Sequence, residues 1–450
     1  MRSRLAGLKP NLKKVMCGGE HHAPSQDSGS SPTSPFPWEA GVIDAHCHPT
    51  DTMSSIASIP TMSTRLLAIM ATRSQDQDLV GEVASKHGLK QPSELPSSYS
   101  DPSSRYVIPA FGWHPWFAHQ LYHDDDPSAA NVPGSDASPE AIREFKMKHY
   151  SAILTPPPKD PDFISQLPTP TPLASFLNAT RSRVKSHPVA LIGEIGIDKA
   201  FRLPEKWPDG TAPQNRDASL TTPGGREGRR LSPHTVSIPH QIAVLQAQLR
   251  LAGELQVPVS VHGVQAHGVL YDAISALWKG HEKDVLSKRE RRRVAPNAED
   301  WWSTSDESEF SNDEENDEYY QKMRALREKK KKERKAASKP FPPRICLHSF
   351  SGSVEVLKRY VKPQVPADVY FSLSTAVNLG APSAHAKFAE VLAAIPDDRL
   401  LVESDLHAAG PDMDAALEDI YRRVCEAKGW ELKDGVERIA RNFKAFVFGK

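Results

Sequence analysis

The sequence is short of cysteine, of net charge and of long apolar runs, and each shortage argues against a class of protein. Its four cysteines form no Cys-x-x-Cys pair, which is typical of reduced thiols and not of a disulfide framework. Basic and acidic side chains cancel at 56 each, so any contact with nucleic acid must come from a local patch. No run approaches the ~18 apolar residues of a membrane-spanning helix. We therefore expect a cytoplasmic and/or nuclear protein with no membrane partner.

Proline, in contrast, is abundant, with 39 residues that concentrate in loops and near the N-terminus. Residues 1–38 are rich in Ser, Pro and Gly and bury too little apolar surface to order themselves, which predicts a disordered N-terminal tail. Residues 39–450 are predicted to form one domain with insertions at about 118–165, 202–236 and 281–340. The last insertion is basic, then acidic, then basic. It is either a solvated, self-neutralising segment or an element that binds a protein partner or directs localisation.

After the predicted tail, a short β-branched or apolar run, a polar loop and a segment with helical periodicity recur along the chain. Eight such runs alternating with helices are more typical of a closed (β/α)₈ barrel than of an open sheet. The predicted fold class is therefore α/β, a TIM barrel. The predicted strands are 40–46, 66–70, 106–113, 190–196, 258–262, 344–348, 369–373 and 400–405. The clearest predicted helices are 75–87, 239–256, 383–395 and 413–429.

The first predicted strand runs into two histidines, His46 and His48, whose spacing places both side chains on one face. Such a pair, taken alone, is commonly incidental. Four other predicted strands also end in histidine or carboxylate, and in a barrel the C-terminal ends of the strands meet at one mouth. These four residues are Glu194, His262, His348 and Asp405.

Four imidazoles and two carboxylates are more than one open catalytic site needs, but they suffice for two ions about 3.5–4 Å apart. The donor types fit two divalent metal ions (Zn²⁺, Mn²⁺ or Mg²⁺), and imidazole favours zinc or manganese. Glu194 is the natural bridge between the ions. We predict a metal-bound hydroxide that attacks phosphorus or a carbonyl carbon.

The segments "DAHCHPTD", "FGWHPW", "LIGEIGID", "HSFSGS" and "LLVESD" together resemble a fungal-type member of the TatD-like metal-dependent deoxyribonuclease family, in the amidohydrolase superfamily. The resemblance implies a monomeric TIM barrel that hydrolyses phosphodiester bonds of DNA, typically from the 3′ end. It implies that Asp405 takes a proton from the attacking water and that Glu194 shares in catalysis. It also implies the ligands of each ion: His46, His48, Glu194 and Asp405 for one, and Glu194, His262 and His348 for the other.

Three further residues are candidates for binding the substrate. His114 matches a family position near the substrate phosphate, or it stabilises a loop. Ser351 precedes a helix and could offer backbone N–H groups to a phosphate; alternatively, Ser351 or Ser353 caps that helix. Arg202, with Lys199, could supply local positive charge, or both could be solvated loop residues.

Two segments depart from the family pattern. Gly263-Val264 stands where members usually carry Ser-Arg, and Leu406-His407 stands where they tend to carry Ser-Pro. The metal ligands are kept while the surroundings of the substrate differ. Two alternatives to a nuclease therefore remain. One is a small-molecule amidohydrolase, although Glu194 occupies the place of the carboxylated lysine that many such enzymes use. The other is an interaction protein built on a TatD-like barrel, with little or no nuclease role.

Overall fold

Eight strands with helices between them form the centre of the protein. The computed structural model describes residues 34–89, 105–123, 133–134, 137–208, 229–283, 285, 339–380 and 384–449. All eight predicted strands are confirmed, with ends that differ from the prediction by three residues or fewer. They are β1 (Ile43–Cys47), β2 (Leu66–Met70), β3 (Tyr106–Ala110), β4 (Ile192–Asp198), β5 (Val259–Val264), β6 (Arg344–Leu347), β7 (Asp368–Leu373) and β8 (Leu400–Val402).

The strands pair in parallel in two groups, β1-β2-β3 and β4-β5-β6-β7-β8. A parallel bridge between Ala110 and Leu191 joins β3 to the start of β4. At the other seam, the N–H of Asp405, just past β8, donates to the carbonyl of His46 in β1 at 3.1 Å. The ring is thereby complete, which confirms the TIM barrel. Every residue of β1, β2 and β4 is buried, as parallel strands covered on both faces require.

The helices cover the outside of the barrel. Helix α10 (Pro411–Lys428) shows why: its residues Met413, Leu417, Ile420 and Val424 recur every three or four positions and are all buried. This helix ends at Gly429, which takes the left-handed conformation with φ of 66° that a helix C-terminus favours. No helix in the described part of the chain is long and apolar enough to cross a bilayer.

The four clearest predicted helices are confirmed to within two residues, as α1, α5, α9 and α10. The helices are α1 (Ser74–His87), α2 (Pro139–Ile153), α3 (Pro161–Gln166), α4 (Leu173–Ser186), α5 (Ile238–Leu255), α6 (His267–Ser275), α7 (Val354–Tyr360), α8 (Thr375–Asn378), α9 (Ala384–Ala394), α10 (Pro411–Lys428) and α11 (Leu432–Phe448). Segments of 3₁₀ helix lie at Trp38–Ala40, Pro49–Thr61, Pro115–Gln120 and Ala276–Trp278.

The predicted N-terminal tail is too long at its C-terminal end. Phe36 is buried, and its ring lies 4.6 Å from that of Trp38 and 6.0 Å from that of Tyr421 in α10. Residues 36–38 are therefore packed on the barrel, while residues 1–33 lie outside the described part of the chain. Most of the charged insertion at 281–340 also lies outside the described residues.

Residues of the predicted insertion at 118–165 form a lobe beside the barrel with its own apolar core. Helices α2 and α3 pack there, and a 3₁₀ helix, Pro115–Gln120, leads into it from β3. Two short strand pairs tie the lobe to neighbouring loops: Leu121–Tyr122 with Thr171–Pro172, and Leu154–Thr155 with Thr235–Val236. The lobe thus anchors the 3₁₀ helix that follows the predicted site residue His114.

Histidines cluster where this lobe meets α5. His149 Nε2 donates to the carbonyl of His119 at 2.9 Å, and His240 Nε2 donates to the carbonyl of Ala118 at 2.9 Å. The ring of His240 lies 5.7 Å from that of His123 and 6.2 Å from that of His149. Burial, with the neighbouring imidazoles, lowers the pKa of His119 to about 3 and that of His240 to about 4. These side chains are therefore neutral in the folded protein at neutral pH.

We expect this cluster to make the protein sensitive to acid. A histidine whose pKa is lower in the folded state leaves the free energy of unfolding unchanged above the unfolded pKa of ~6.5. As the pH falls below this value, the unfolded state binds the proton more readily and the free energy of unfolding decreases. At pH 5 each such histidine lowers the free energy of unfolding by about 1–2 kcal/mol. The variant His240→Gln keeps an N–H donor for Ala118 but cannot be protonated. Between pH 7.5 and pH 5, its loss in Tm should be about 2–4 °C smaller than that of the wild type.

Circular dichroism melting curves at the two pH values measure this difference. The control is His385→Gln, which changes an exposed histidine of α9 and should leave the acid sensitivity as it is. An equal loss in Tm for His240→Gln and wild type would show that the cluster does not set the acid stability.

Candidate metal centre

Glu194 lies at the centre of a group of imidazoles inside the mouth of the barrel. It is the third residue of β4, a strand that continues to Asp198, so the prediction that Glu194 ends its strand was wrong. Its neighbour strand β5 runs very close, since a Cβ at Gly196 would overlap the carbonyl oxygen of His262. Glycine at this position lets the two strands bring Glu194 and His262 together. The Glu194 side chain is 4% exposed.

The first histidine pair faces one oxygen of this carboxylate. Nε2 of His46 and Nε2 of His48 lie 3.2 Å apart, at 3.5 Å and 3.4 Å from Glu194 Oε2. Asp405 Oδ1 lies 3.9 Å from His46 Nε2 and 3.7 Å from His48 Nε2. Cys47 points away and donates to the carbonyl of Ala68, as the alternation of a strand requires.

The second histidine pair faces the other oxygen. His262 Nδ1 and His348 Nε2 lie 3.0 Å apart, and each lies 2.7 Å from Glu194 Oε1. Glu194 thus presents one oxygen to each pair. The two pairs adjoin, because the rings of His46 and His348 stack with centroids 3.9 Å apart.

The donor atoms fit divalent metal ions. Bonds of about 2.0–2.1 Å to zinc separate neighbouring tetrahedral donors by about 3.3 Å. The first set, at 3.2–3.5 Å between the two histidines and Glu194, already has this spacing. The second set, at 2.7–3.0 Å, has to open by a few tenths of an ångström. His46–His48–Glu194 is one of three buried groups in the described residues whose donor atoms converge closely enough to hold an ion.

The outward ring nitrogens support the same conclusion. His262 Nε2 lies 3.2 Å from Asp198 Oδ2, and His348 Nδ1 lies 3.3 Å from Glu403 Oε1. A carboxylate only accepts, so these two nitrogens carry the protons. In the neutral rings, the facing atoms His262 Nδ1 and His348 Nε2 would then offer lone pairs to an ion beside Glu194 Oε1. This is how metal-binding histidines are usually oriented.

His114 is brought to the same carboxylate, but as a donor. Its Nε2 lies 3.2 Å from Glu194 Oε1, while its Nδ1 accepts the backbone N–H of Trp116 at 3.1 Å. Burial lowers the pKa of His114 to about 4, so the ring is neutral at pH 7. With Nδ1 accepting, the single proton sits on Nε2 and points to Glu194. A proton-bearing nitrogen is not a metal ligand, which separates His114 from the other four histidines.

The electrostatics of the centre follow from the buried carboxylate of Glu194 and the imidazoles around it. Burial alone would raise the pKa of Glu194, but the imidazoles of His114 and His348 hold it well below its usual range. Burial would lower the pKa of His48, yet the bond to Glu194 raises it to about 9. The pKa of His262 is raised as well, by Asp198 and Glu194, against burial. Metal ions and protons therefore compete for these nitrogens.

Two of the predicted substrate-binding residues lie further out. Ser351 Oγ is 3.1 Å from Nε2 of His267, and its carbonyl accepts from Lys387 at 2.6 Å. Ser353 and not Ser351 caps α7, accepting from the N–H of Val356. Arg202 is exposed on the loop after β4, and its guanidinium makes no hydrogen bond or ion pair with the described residues. Neither side chain touches Glu194.

Two carboxylates that orient the histidines were not predicted from the sequence. Asp198 binds His262, and Glu403 binds His348 while also accepting from Ser349 and Ser372. Asp198 lies in the same segment as the predicted ligand Glu194, and Glu403 lies in the same segment as the predicted ligand Asp405. The signal that could have found Asp198 is its spacing of four from Glu194, which puts both on one face of the strand.

Comparison with known proteins gives consistent matches over nearly the whole chain. The family model described as TatD related DNase matches residues 43–448. A Schizosaccharomyces pombe protein named Cut9-interacting protein scn1 is 36% identical over 406 residues, which cover 90% of this chain and 98% of that protein. A Saccharomyces cerevisiae protein named Uncharacterized deoxyribonuclease YMR262W is 24% identical over 419 residues, covering 90% and 99%. A crystal structure of a hydrolase TatD family protein from Entamoeba histolytica aligns at a TM-score of 0.45 and 11% identity, covering 91% and 99%.

Proposed function

Because the chain belongs to the TatD-related DNase family, we propose that this metal-dependent hydrolase cleaves phosphodiester bonds of DNA, as a 3′-exonuclease. The observation that carries the proposal is the position of Glu194, whose two oxygens face two separate pairs of imidazole nitrogens. This is the donor arrangement for two divalent ions (Zn²⁺, Mn²⁺ or Mg²⁺) that share a carboxylate. Such ions, when bound, supply Lewis acidity toward water and the phosphate.

We assign the ligands by their distances. His46 and His48, with Glu194 Oε2 and Asp405, would hold one ion, and His262 and His348, with Glu194 Oε1, the other. The four positive charges of two divalent ions would be balanced by Glu194 and Asp405 together with Asp198 and Glu403, which lie behind His262 and His348.

Asp405 is our candidate for the general base. Its side chain is 18% exposed, whereas His46 is fully buried, so Asp405 is the member of the first donor set that water reaches most easily. Its second oxygen is available to accept a proton from the attacking water while Oδ1 faces the two histidines.

His114 is our candidate for holding the substrate in place. Its Nε2–H points to Glu194 Oε1, and this N–H would be shared with a nonbridging oxygen of the phosphodiester when Glu194 holds the ions. Because Trp116 fixes the ring through Nδ1, this donor is positioned before the substrate arrives. We also keep Ser351 and Arg202 as proposed contacts to the substrate strand, at a greater distance from the scissile bond.

The test is nucleotide release by the purified full chain from single- and double-stranded DNA labelled at the 3′ or the 5′ end. We expect release from the 3′ end that needs one of Mg²⁺, Mn²⁺ or Zn²⁺ and stops with excess chelator. Release that persists in chelator would contradict metal dependence, and internal cleavage would contradict the exonuclease assignment.

A protein that binds metal but releases no nucleotide with any ion would overturn the proposal. This result would favour one of two other functions, a small-molecule amidohydrolase or an interaction protein. The interaction protein is supported by the S. pombe relative, which is named Cut9-interacting protein. The charged stretch at 281–340 would be the proposed element for binding a protein partner.

A further inference from the structure

Two aromatic rings extend outward from the candidate metal centre. The rings of Trp116 and Phe201 are stacked, with centroids 4.7 Å apart and planes 12° apart. The Trp116 ring also lies 4.8 Å from that of His114 and 6.3 Å from that of His262. Both aromatic side chains are only partly buried. An aromatic surface therefore begins beside the metal centre and continues to solvent.

One carboxylate, that of Asp198, holds this surface in place. Its Oδ2 accepts from Trp116 Nε1 at 2.6 Å and lies 3.2 Å from His262 Nε2. Its Oδ1 accepts from the backbone N–H groups of Ala200 at 2.6 Å and Phe201 at 2.9 Å. The same side chain thus orients a candidate metal ligand and both aromatic residues, so their spacing is set by one group.

The local charge suits a nucleic-acid strand. Lys199 and Arg202 flank Phe201 within three residues, and both are exposed. The carboxylate of Asp198, in contrast, is turned inward and fully engaged by the contacts above. Positive side chains interleaved with aromatic rings are the usual means by which proteins bind single-stranded nucleic acid. The inner edges of the two rings pack against the neighbouring apolar core, which explains why those edges are apolar. This packing does not explain why the rings also extend to solvent.

We propose that Trp116 and Phe201 form a stacking surface for one unpaired nucleobase of the substrate strand, with Lys199 and Arg202 contacting phosphates of the same strand. This inference rests on the proposed function, since it names how that substrate is held. A base can stack on Phe201 only after leaving its duplex. Single-stranded ends should therefore bind better than paired ones.

Binding of two ligands that differ only in the base tests the proposal. The ligands are dAMP and 2-deoxyribose 5-phosphate, and their affinities are measured by calorimetry for wild type, Phe201→Ala, Phe201→Leu and Phe201→Tyr. We expect Ala and Leu to weaken dAMP binding by about 5- to 150-fold, the usual value of one stacked base. Tyrosine keeps the ring and should bind dAMP as the wild type does. The sugar phosphate should bind equally to all four proteins.

Phe201→Leu is the matched control, because it retains apolar volume without a flat ring. If Leu binds dAMP as tightly as wild type, or if both ligands weaken together, the stacking surface is overturned. The absence of dAMP binding to wild type would overturn it too.

Hydrolysis assays on the same proteins separate this inference from the proposed function. A wild type that degrades DNA, with no effect of Phe201 variants on dAMP affinity, would leave the nuclease standing and remove the stacking surface. A wild type that binds dAMP through Phe201 but hydrolyses no phosphodiester would support the stacking surface and overturn the nuclease.

Discussion

Replacing Asp405 with asparagine is expected to lower kcat for DNA hydrolysis by about 10²–10⁴-fold while the protein stays folded. The substitution removes the negative charge of a proposed metal ligand whose Oδ1 lies 3.7 Å from His48 Nε2. In the proposed mechanism it also removes the proton acceptor. The fold should survive because asparagine has nearly the same volume. Asparagine also tolerates the positive φ of 57° at this position, which alanine does not.

Rates of nucleotide release and melting curves on the same preparations measure this prediction. Asp434→Asn is the matched control, since it makes the same chemical change at an exposed aspartate in the first turn of α11. Asp405→Asn with a normal Tm and an unchanged rate would remove Asp405 from the mechanism. A large drop in Tm would instead show that the Asp405 carboxylate is needed for the fold.

Replacing Glu194 with glutamine is expected to lower metal content and hydrolysis together. The change keeps the volume of the side chain but removes the negative charge that faces both histidine pairs. The loss in kcat/KM should reach about 10³-fold or more, because several kcal/mol of transition-state stabilisation depend on the ions. The shorter carboxylate in Glu194→Asp keeps the charge but cannot reach both pairs, so it should retain one ion where wild type retains two.

Metal content after dialysis, measured by mass spectrometry, gives a readout independent of activity. Glu390→Gln, at an exposed glutamate of α9, is the control for loss of one carboxylate elsewhere. If Glu194→Gln retains the full metal content, Glu194 does not bridge two ions. If Glu194→Asp retains both ions, the shorter carboxylate still reaches both histidine pairs, which would contradict the expected loss of one ion.

The sequence alone was enough to predict the strands and much of the candidate centre. The run 66–70 has the same bounds in the sequence analysis and in the structure, because a short β-branched or apolar segment between polar loops encodes a buried strand locally. Alternation along a strand placed His46 and His48 on one face, and their nitrogens indeed lie 3.2 Å apart. That His262 and His348 join them follows from the rule that strand ends converge in a barrel.

Tertiary structure decided which acids and which ring nitrogens face inward. Local pattern does not distinguish Glu403 from Asp405: the first lies behind His348, and the second turns to the mouth through its left-handed backbone. Nor could it tell that His114 donates, since this depends on the N–H of Trp116.

The physical reason is the range of the interactions involved. Side-chain periodicity depends on neighbours a few residues apart, so the sequence encodes it directly. The closing of the barrel joins β8 to β1, for example through the bond from the N–H of Ser404 to Asp44, across 360 positions. The proton position on each imidazole depends on partners brought together only by that closure, so the tertiary structure decides the chemistry of the centre.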